Sequence, residues 1–386
     1  MTKSDRWKEM GTIASRDTTI VVGGGMIGCS VAFELLKAGK QVTLVERGTL
    51  FSEASSASAG MLCPQAEMLA AKTETIRNFY RVSGRIHREW TRSVEEVSGR
   101  PVDYRQDGMI RVFLDHDLAD SQFQSIEDAH LLSELTKLSP DEVRSLEPSI
   151  TEETVGGILF SGDGQLHPLR LAISLKSALA RLGCRILEHT VAHELLHSGH
   201  DVIGVRTSEG DLFADTTVVA GGAWSSALLK TLELDVPVVP VKGQMYAVRS
   251  SNVKLTHVIQ GFGTVVLPRL DGSFTVGVTH EMAGYDKRVT VAAIADVHKQ
   301  LCRGIPEMKH AEFAASWAGL RPGTPDGLPY IGHVDGWDGL IAAAGHYTTG
   351  ILLGPITGVA VRQLVLGEEP LVPLDEFRPL RAMQMA

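Results

Sequence analysis

This chain has no cluster of lysine and arginine, no apolar run long enough to cross a bilayer, and no closely spaced pair of cysteines. The 37 Lys and Arg stand against 46 Asp and Glu, a net charge of −9, which argues against nucleic acid or an anionic membrane as partner. A spanning helix needs about 20 consecutive apolar residues, so no membrane span is expected. Residues 1–17 lack the apolar centre of a signal peptide and are expected to form a flexible tail. Cys29, Cys63, Cys184 and Cys302 form no CxxC pair, which suits buried, reduced thiols in a cytoplasmic protein. At 386 residues the chain has room for two domains.

What is present is concentrated first in Thr18 to Arg47, which reads as strand, glycine turn, helix and second strand. In Gly23-x-Gly25-x-x-Gly28 the first glycine permits the turn, the second admits a pyrophosphate, and the third lets helix and strand pack closely. Met26 and Ile27 open the helix, whose free amides and positive dipole end hold phosphate. Glu46 ends the second strand, where a carboxylate accepts hydrogen bonds from the hydroxyls of an adenosine ribose, and Arg47 follows it. This pattern is a dinucleotide site in a Rossmann-type α/β domain and leaves NAD and FAD both open.

The next stretch is crowded with Ser, Ala and Gly; Ser55 and Ser56 offer caps or phosphate donors. Apolar positions between about Ala66 and Val97 recur with helical spacing and predict one long amphipathic helix. Asp107-Gly108 predicts a hairpin turn, and Ser139-Pro140-Asp141-Glu142 a capped helix start. A second glycine-ended strand, ADTTVVAGG, leads through Gly221, Gly222 and Trp224 into a helix, a further place for backbone to meet cofactor. Alternating segments from Val236 to Arg249 and from Val265 to His280 predict a largely antiparallel second sheet. His193-Glu194-Leu195-Leu196-His197 matches the zinc-protease HExxH. It runs into a turn and a strand, however, and two histidines four apart on a strand stand roughly 13 Å apart, so no metal site is expected.

GGGMIG with Glu46, SSASAGML, VVAGGAWS, PVKGQ, WAGLRPGTPDGLPYIG and AAGHYTTGILLGP, in this order, resemble the bacterial glycine oxidases of the D-amino acid oxidase family, from about Thr18 to Leu366. The resemblance implies FAD, oxidation of a small amine or amino acid, oxygen as acceptor with release of hydrogen peroxide, and a homo-oligomer. Family members of this type often supply the imine of glycine for the thiazole of thiamin. The FAD is expected to be non-covalent, since GTPDGLPYIG contains no cysteine. Segments 18–75, 150–225 and 322–386 are expected to form the FAD domain, and 76–149 and 226–321 the substrate domain. By resemblance, Arg321 binds the substrate carboxylate beside the flavin, Gly60 and Met61 lie at the isoalloxazine, Ala192 contacts the cofactor, and Thr349, Gly350, Ile351 and Leu352 present helix-start amides to the flavin pyrimidine.

Two positions depart from the family pattern. Thr348 stands where glycine oxidases usually carry a second arginine, and Val265 where they tend to carry a tyrosine. Each lost bond to a charged group weakens binding by about 1.5 to 3 kcal/mol. Either His280 or His346 compensates, or the substrate is an N-methyl or D-amino acid or an amine without a carboxylate. A flavin-binding subunit that has lost its activity is the alternative of another class.

Overall fold

A computed structural model describes residues 18–131 and 133–381; the expected amino-terminal tail lies outside them. The strand Thr18–Val22 is the centre of a six-stranded sheet in the order Tyr330–His333, Leu340–Ala344, Thr216–Val219, Thr18–Val22, Gln41–Val45, Arg185–Leu187. All neighbours run parallel except the Tyr330–His333 edge strand. Val21 and Leu44 are fully buried, as expected of parallel strands covered on both faces. The helices Met26–Lys37 and Gly350–Leu366 pack side by side, with Gly354 so close to Met26 that a Cβ there would strike the methionine side chain. Arg362 lies 3.7 Å from the buried Glu34 across the same contact.

The second sheet has eight strands in the order Glu312–Gly323, Val239–Arg249, Ser273–Gly277, Thr264–Pro268, Val258–Gly261, Met109–Phe113, Gly156–Phe160, Thr136–Leu138. It is antiparallel but for one pair, Val258–Gly261 beside Met109–Phe113. The Gly156–Phe160 strand, inside the 150–225 stretch, belongs to this large sheet through its register with Met109–Phe113. A three-stranded meander, Ala192–Ser198, Asp201–Thr207 and Gly210–Phe213, holds the HExxH-like residues on a strand, as its flanking turn predicts.

Two local expectations fail. The residues from 66 to 97 form two helices, Pro64–Ala70 and Glu74–Ser98, because Thr73 takes an extended conformation and caps the second, its Oγ1 accepting from the Ile76 amide at 3.2 Å. Asp107-Gly108 makes no hairpin: Arg105 pairs with Gln165 instead, and Met109–Phe113 finds its partners in the large sheet. Among the described residues no helix is long and apolar enough to cross a membrane.

Candidate active site

The glycine turn shapes one end of a cavity of about 980 Å³ that runs between the two large sheets. Gly23 has φ +112°, and a Cβ there would strike the Ala220 carbonyl. Gly28 lies against the Gly23 carbonyl oxygen and so fixes helix to turn without itself lining the cavity. Gly25, Met26 and Ile27 do line it. The Met26 amide donates to Ser55 Oγ at 2.8 Å, whereas Ser56 turns away and bonds the Glu53 carbonyl. Glu46 accepts from the Gly24 and Gly48 amides, both at 2.7 Å. A carboxylate has room for about four such bonds, so acceptor capacity remains.

Farther along this end, the Arg47 guanidinium lies 3.4 Å from the centre of the Trp224 ring and pairs with Glu53 at 2.8 Å. Trp224 stacks in turn on Tyr285, whose hydroxyl bonds the Ala223 carbonyl at 3.1 Å. Ala192, Gly221 and Gly222 complete the wall. Beside them Ser225 Oγ is fully buried and has no hydrogen-bond partner among the described residues.

At the other end, Gly60 and Met61 face the start of the Gly350–Leu366 helix, where Thr349, Gly350, Ile351 and Leu352 line the cavity. The helix is held from behind: Ser83 Oγ donates to the Leu352 carbonyl at 2.7 Å, and His87 Nε2 lies 3.1 Å from that of Ile351. No side chain caps its amides, so they remain available to a ligand.

Arg321 projects from the Glu312–Gly323 strand into the same end. Its Nη1 donates to the Thr279 carbonyl at 3.1 Å, and burial holds the guanidinium below its usual pKa range. Among the described residues no carboxylate comes within ion-pair distance of it. His280 Nδ1 lies 3.1 Å from the Tyr347 hydroxyl. Partial burial, then the Arg321 charge, push the His280 pKa down. Thr348 and Val265 line this end as well. His346 lines the cavity too: it is buried, pushed down to about 3 and bonded through Nε2 to Thr357 Oγ1 at 2.9 Å, while its Nδ1 has no hydrogen-bond partner among the described residues.

The cavity fits a flavin dinucleotide on three counts. Its volume is at the top of the range for small-molecule sites. Two helix starts open into it, and a buried orphan hydroxyl, Ser225 Oγ, awaits an acceptor or donor. A family model for FAD dependent oxidoreductases matches residues 18–364.

The chain belongs to the FAD dependent oxidoreductase family.

Its cofactor is FAD. A glycine oxidase of Pseudomonas aeruginosa is 34% identical over 370 residues, covering 94% of this chain and 98% of the relative. One from Geobacillus kaustophilus is 32% identical over 362 residues, covering 92% and 95%. The crystal structure of a Geobacillus kaustophilus glycine oxidase superposes with a TM-score of 0.90 at 31% identity, covering 95% of this chain and 99% of that one. Mixed α/β architecture, with a parallel cofactor sheet and a separate antiparallel sheet, is that of the family.

Three residues that no motif contained also line the cavity: Glu67, Arg111 and Gln260. The last two, Arg111 and Gln260, come together because the large sheet pairs segments distant in sequence. No local spacing could have shown it.

Proposed function

We propose that this flavoenzyme oxidises a small amino acid at its α-carbon, with Arg321 holding the substrate carboxylate. The observation that carries this is the Arg321 guanidinium, largely buried in the cavity and bonded to a carbonyl but to no acid among the described residues. A buried cation is costly unless paired, and a bidentate carboxylate is its natural partner. FAD supplies the acceptor for the hydride; oxygen then serves as electron acceptor and hydrogen peroxide is released. The relatives that cover nearly the whole chain carry the name glycine oxidase, which supports an α-amino acid substrate.

The protein's own residues do the positioning. Arg321 fixes the carboxylate, Thr279 fixes Arg321, and His280 with Tyr347 closes one side. His280 is held down in pKa and enters as a neutral hydrogen-bonding group, so the amine is oriented without a second fixed charge beside it. In this scheme the six-stranded sheet and its helices hold the dinucleotide, and the eight-stranded sheet, to which Gly156–Phe160 belongs, shapes the substrate end.

Mixing the purified yellow protein anaerobically with glycine, sarcosine and D-amino acids tests the reading. Bleaching of the flavin band by at least one of them is expected. Tight FAD with no bleaching across the panel would instead identify a subunit without activity, and Thr348 and Val265 are the residues that would account for it.

A further inference from the structure

The large sheet aligns Gly277, Val265, Gln260 and Arg111 in one cross-strand row. Residues in register across a sheet point to the same face, so Arg111 shares the cavity face of Val265, two strands away. With strands about 4.8 Å apart, their Cα atoms stand roughly 10 Å from each other. The same cavity is lined by Arg111 together with Phe113, Leu118 and Gln122.

Arg111 is held in a particular way. Its Nε donates to Gln260 Oε1 and its Nη1 to Gln122 Oε1, both at 2.8 Å, while Nη2 has no acceptor among the described residues. The guanidinium also lies 5.1 Å from the centre of the Phe160 ring. Neutral amides thus fix its orientation without cancelling its charge, and no carboxylate among the described residues approaches within ion-pair distance. The acids nearest to it are themselves pushed toward the neutral form. Burial raises Glu67 to about 7 and Asp163 to about 8, the latter against two amide bonds from Gln65 and Ala66. Burial also raises the Cys63 thiol. An oriented, largely buried cation that lines a cavity with no carboxylate within ion-pair distance among the described residues marks a site for an anionic group.

We propose that Arg111 binds a second acidic group of the substrate, so that the enzyme acts on an amino acid carrying two carboxylates, one at Arg321 and the other at Arg111. This rests on the assignment of Arg321 to the first carboxylate. It also accounts for Thr348 and Val265: the anion-binding power missing at the reacting centre is supplied farther along the row, and Val265 leaves passage where a tyrosine would narrow it.

The test uses the FAD-loaded enzyme and unreactive acids, read by perturbation of the flavin absorbance. Dicarboxylates from succinate to suberate are titrated against monocarboxylates of the same length. At least one dicarboxylate is expected to bind about tenfold or more tightly than its length-matched monocarboxylate, the difference made by one charge-assisted contact. Arg111→Gln should erase that preference, and Arg111→Lys, which keeps the charge and serves if the glutamine variant folds poorly, should retain part of it. Equal affinities across the series, or a preference that survives in Arg111→Gln, would overturn the proposal. The underlying assignment is judged separately: acetate binding unaffected by Arg321→Ala would remove Arg321 from the site, whatever the comparison of one with two carboxylates gives.

Discussion

Gly243 gives Arg321 the room it occupies: the two residues sit on neighbouring strands, and a Cβ at Gly243 would collide with the guanidinium nitrogens. The arginine is therefore held from two sides, by the Thr279 carbonyl and by a missing side chain. Arg321→Ala is expected to raise the KM of a carboxylate substrate by one to two decades, about 1.5 to 3 kcal/mol, with FAD still bound. Gly243→Ala should give a smaller loss in the same direction, because the guanidinium must shift. Steady-state kinetics with the flavin spectrum as control reads both, and an unchanged KM in Arg321→Ala would exclude its role.

Thr348 lies at the exposed lip of the cavity, next to Tyr347 and Thr349. Thr348→Arg is expected to improve glycine turnover, by about tenfold in kcat/KM, since it restores one charged contact to a short carboxylate. Kinetics with glycine checks it. Failure to gain would mean that the pocket has been rebuilt around a different substrate.

Glu67 predicts a pH dependence of stability. Its folded pKa, about 7, lies above the ordinary value of 4.5, so folding favours the protonated form. Below pH 4.5 the residue is neutral in both states and has no effect on stability. Between 4.5 and 7 the unfolded chain gives up its proton first, and the folded state loses stability as the pH rises, by about 3 kcal/mol in full. Glu67→Gln should remove that loss. Thermal unfolding at pH 5 and pH 8 should show the variant more stable than the parent at pH 8 and little different at pH 5; equal shifts at both would refute the assignment.

Glu46 holds the turn as well as facing the cofactor end. Because both its oxygens accept amide protons, from Gly24 and Gly48, Glu46→Gln places an NH2 against one of them. The expected result is a loss of about 1.5 to 3 kcal/mol in stability together with weaker retention of FAD on gel filtration. Full retention of both would show that the carboxylate serves neither.

The cofactor end was legible because its physics is local. A glycine turn, a helix start and a terminal acid lie within thirty residues, each required by backbone geometry, and Met26 and Glu46 stand where this spacing puts them, while Ser55, from the following serine-rich stretch, accepts from the Met26 amide. The substrate end was legible only in part. Arg321, Thr348 and Val265 could be picked out by resemblance, whereas Gln260 and Arg111 meet through a parallel pairing of Val258–Gly261 with Met109–Phe113 that no turn between them announces. The expected hairpin at Asp107-Gly108 failed for the same reason: Arg105 had a better partner in Gln165, sixty residues on. His346 combines two roles that its sequence position could not separate: Thr357 anchors its Nε2, while the ring lines the cavity with an Nδ1 that has no partner among the described residues.

The contact between Met26–Lys37 and Gly350–Leu366, sealed by Gly354 and by Arg362 with Glu34, joins the first helix and the last helix of the described fold. The two helix starts that frame the cleft are thus separated by more than three hundred residues of synthesis. While the ribosome is still making the middle of the protein, the phosphate-facing turn exists without its flavin-facing counterpart. A nascent chain stalled before Gly350 lacks the flavin-facing helix start and is therefore expected to retain FAD less well than the full chain.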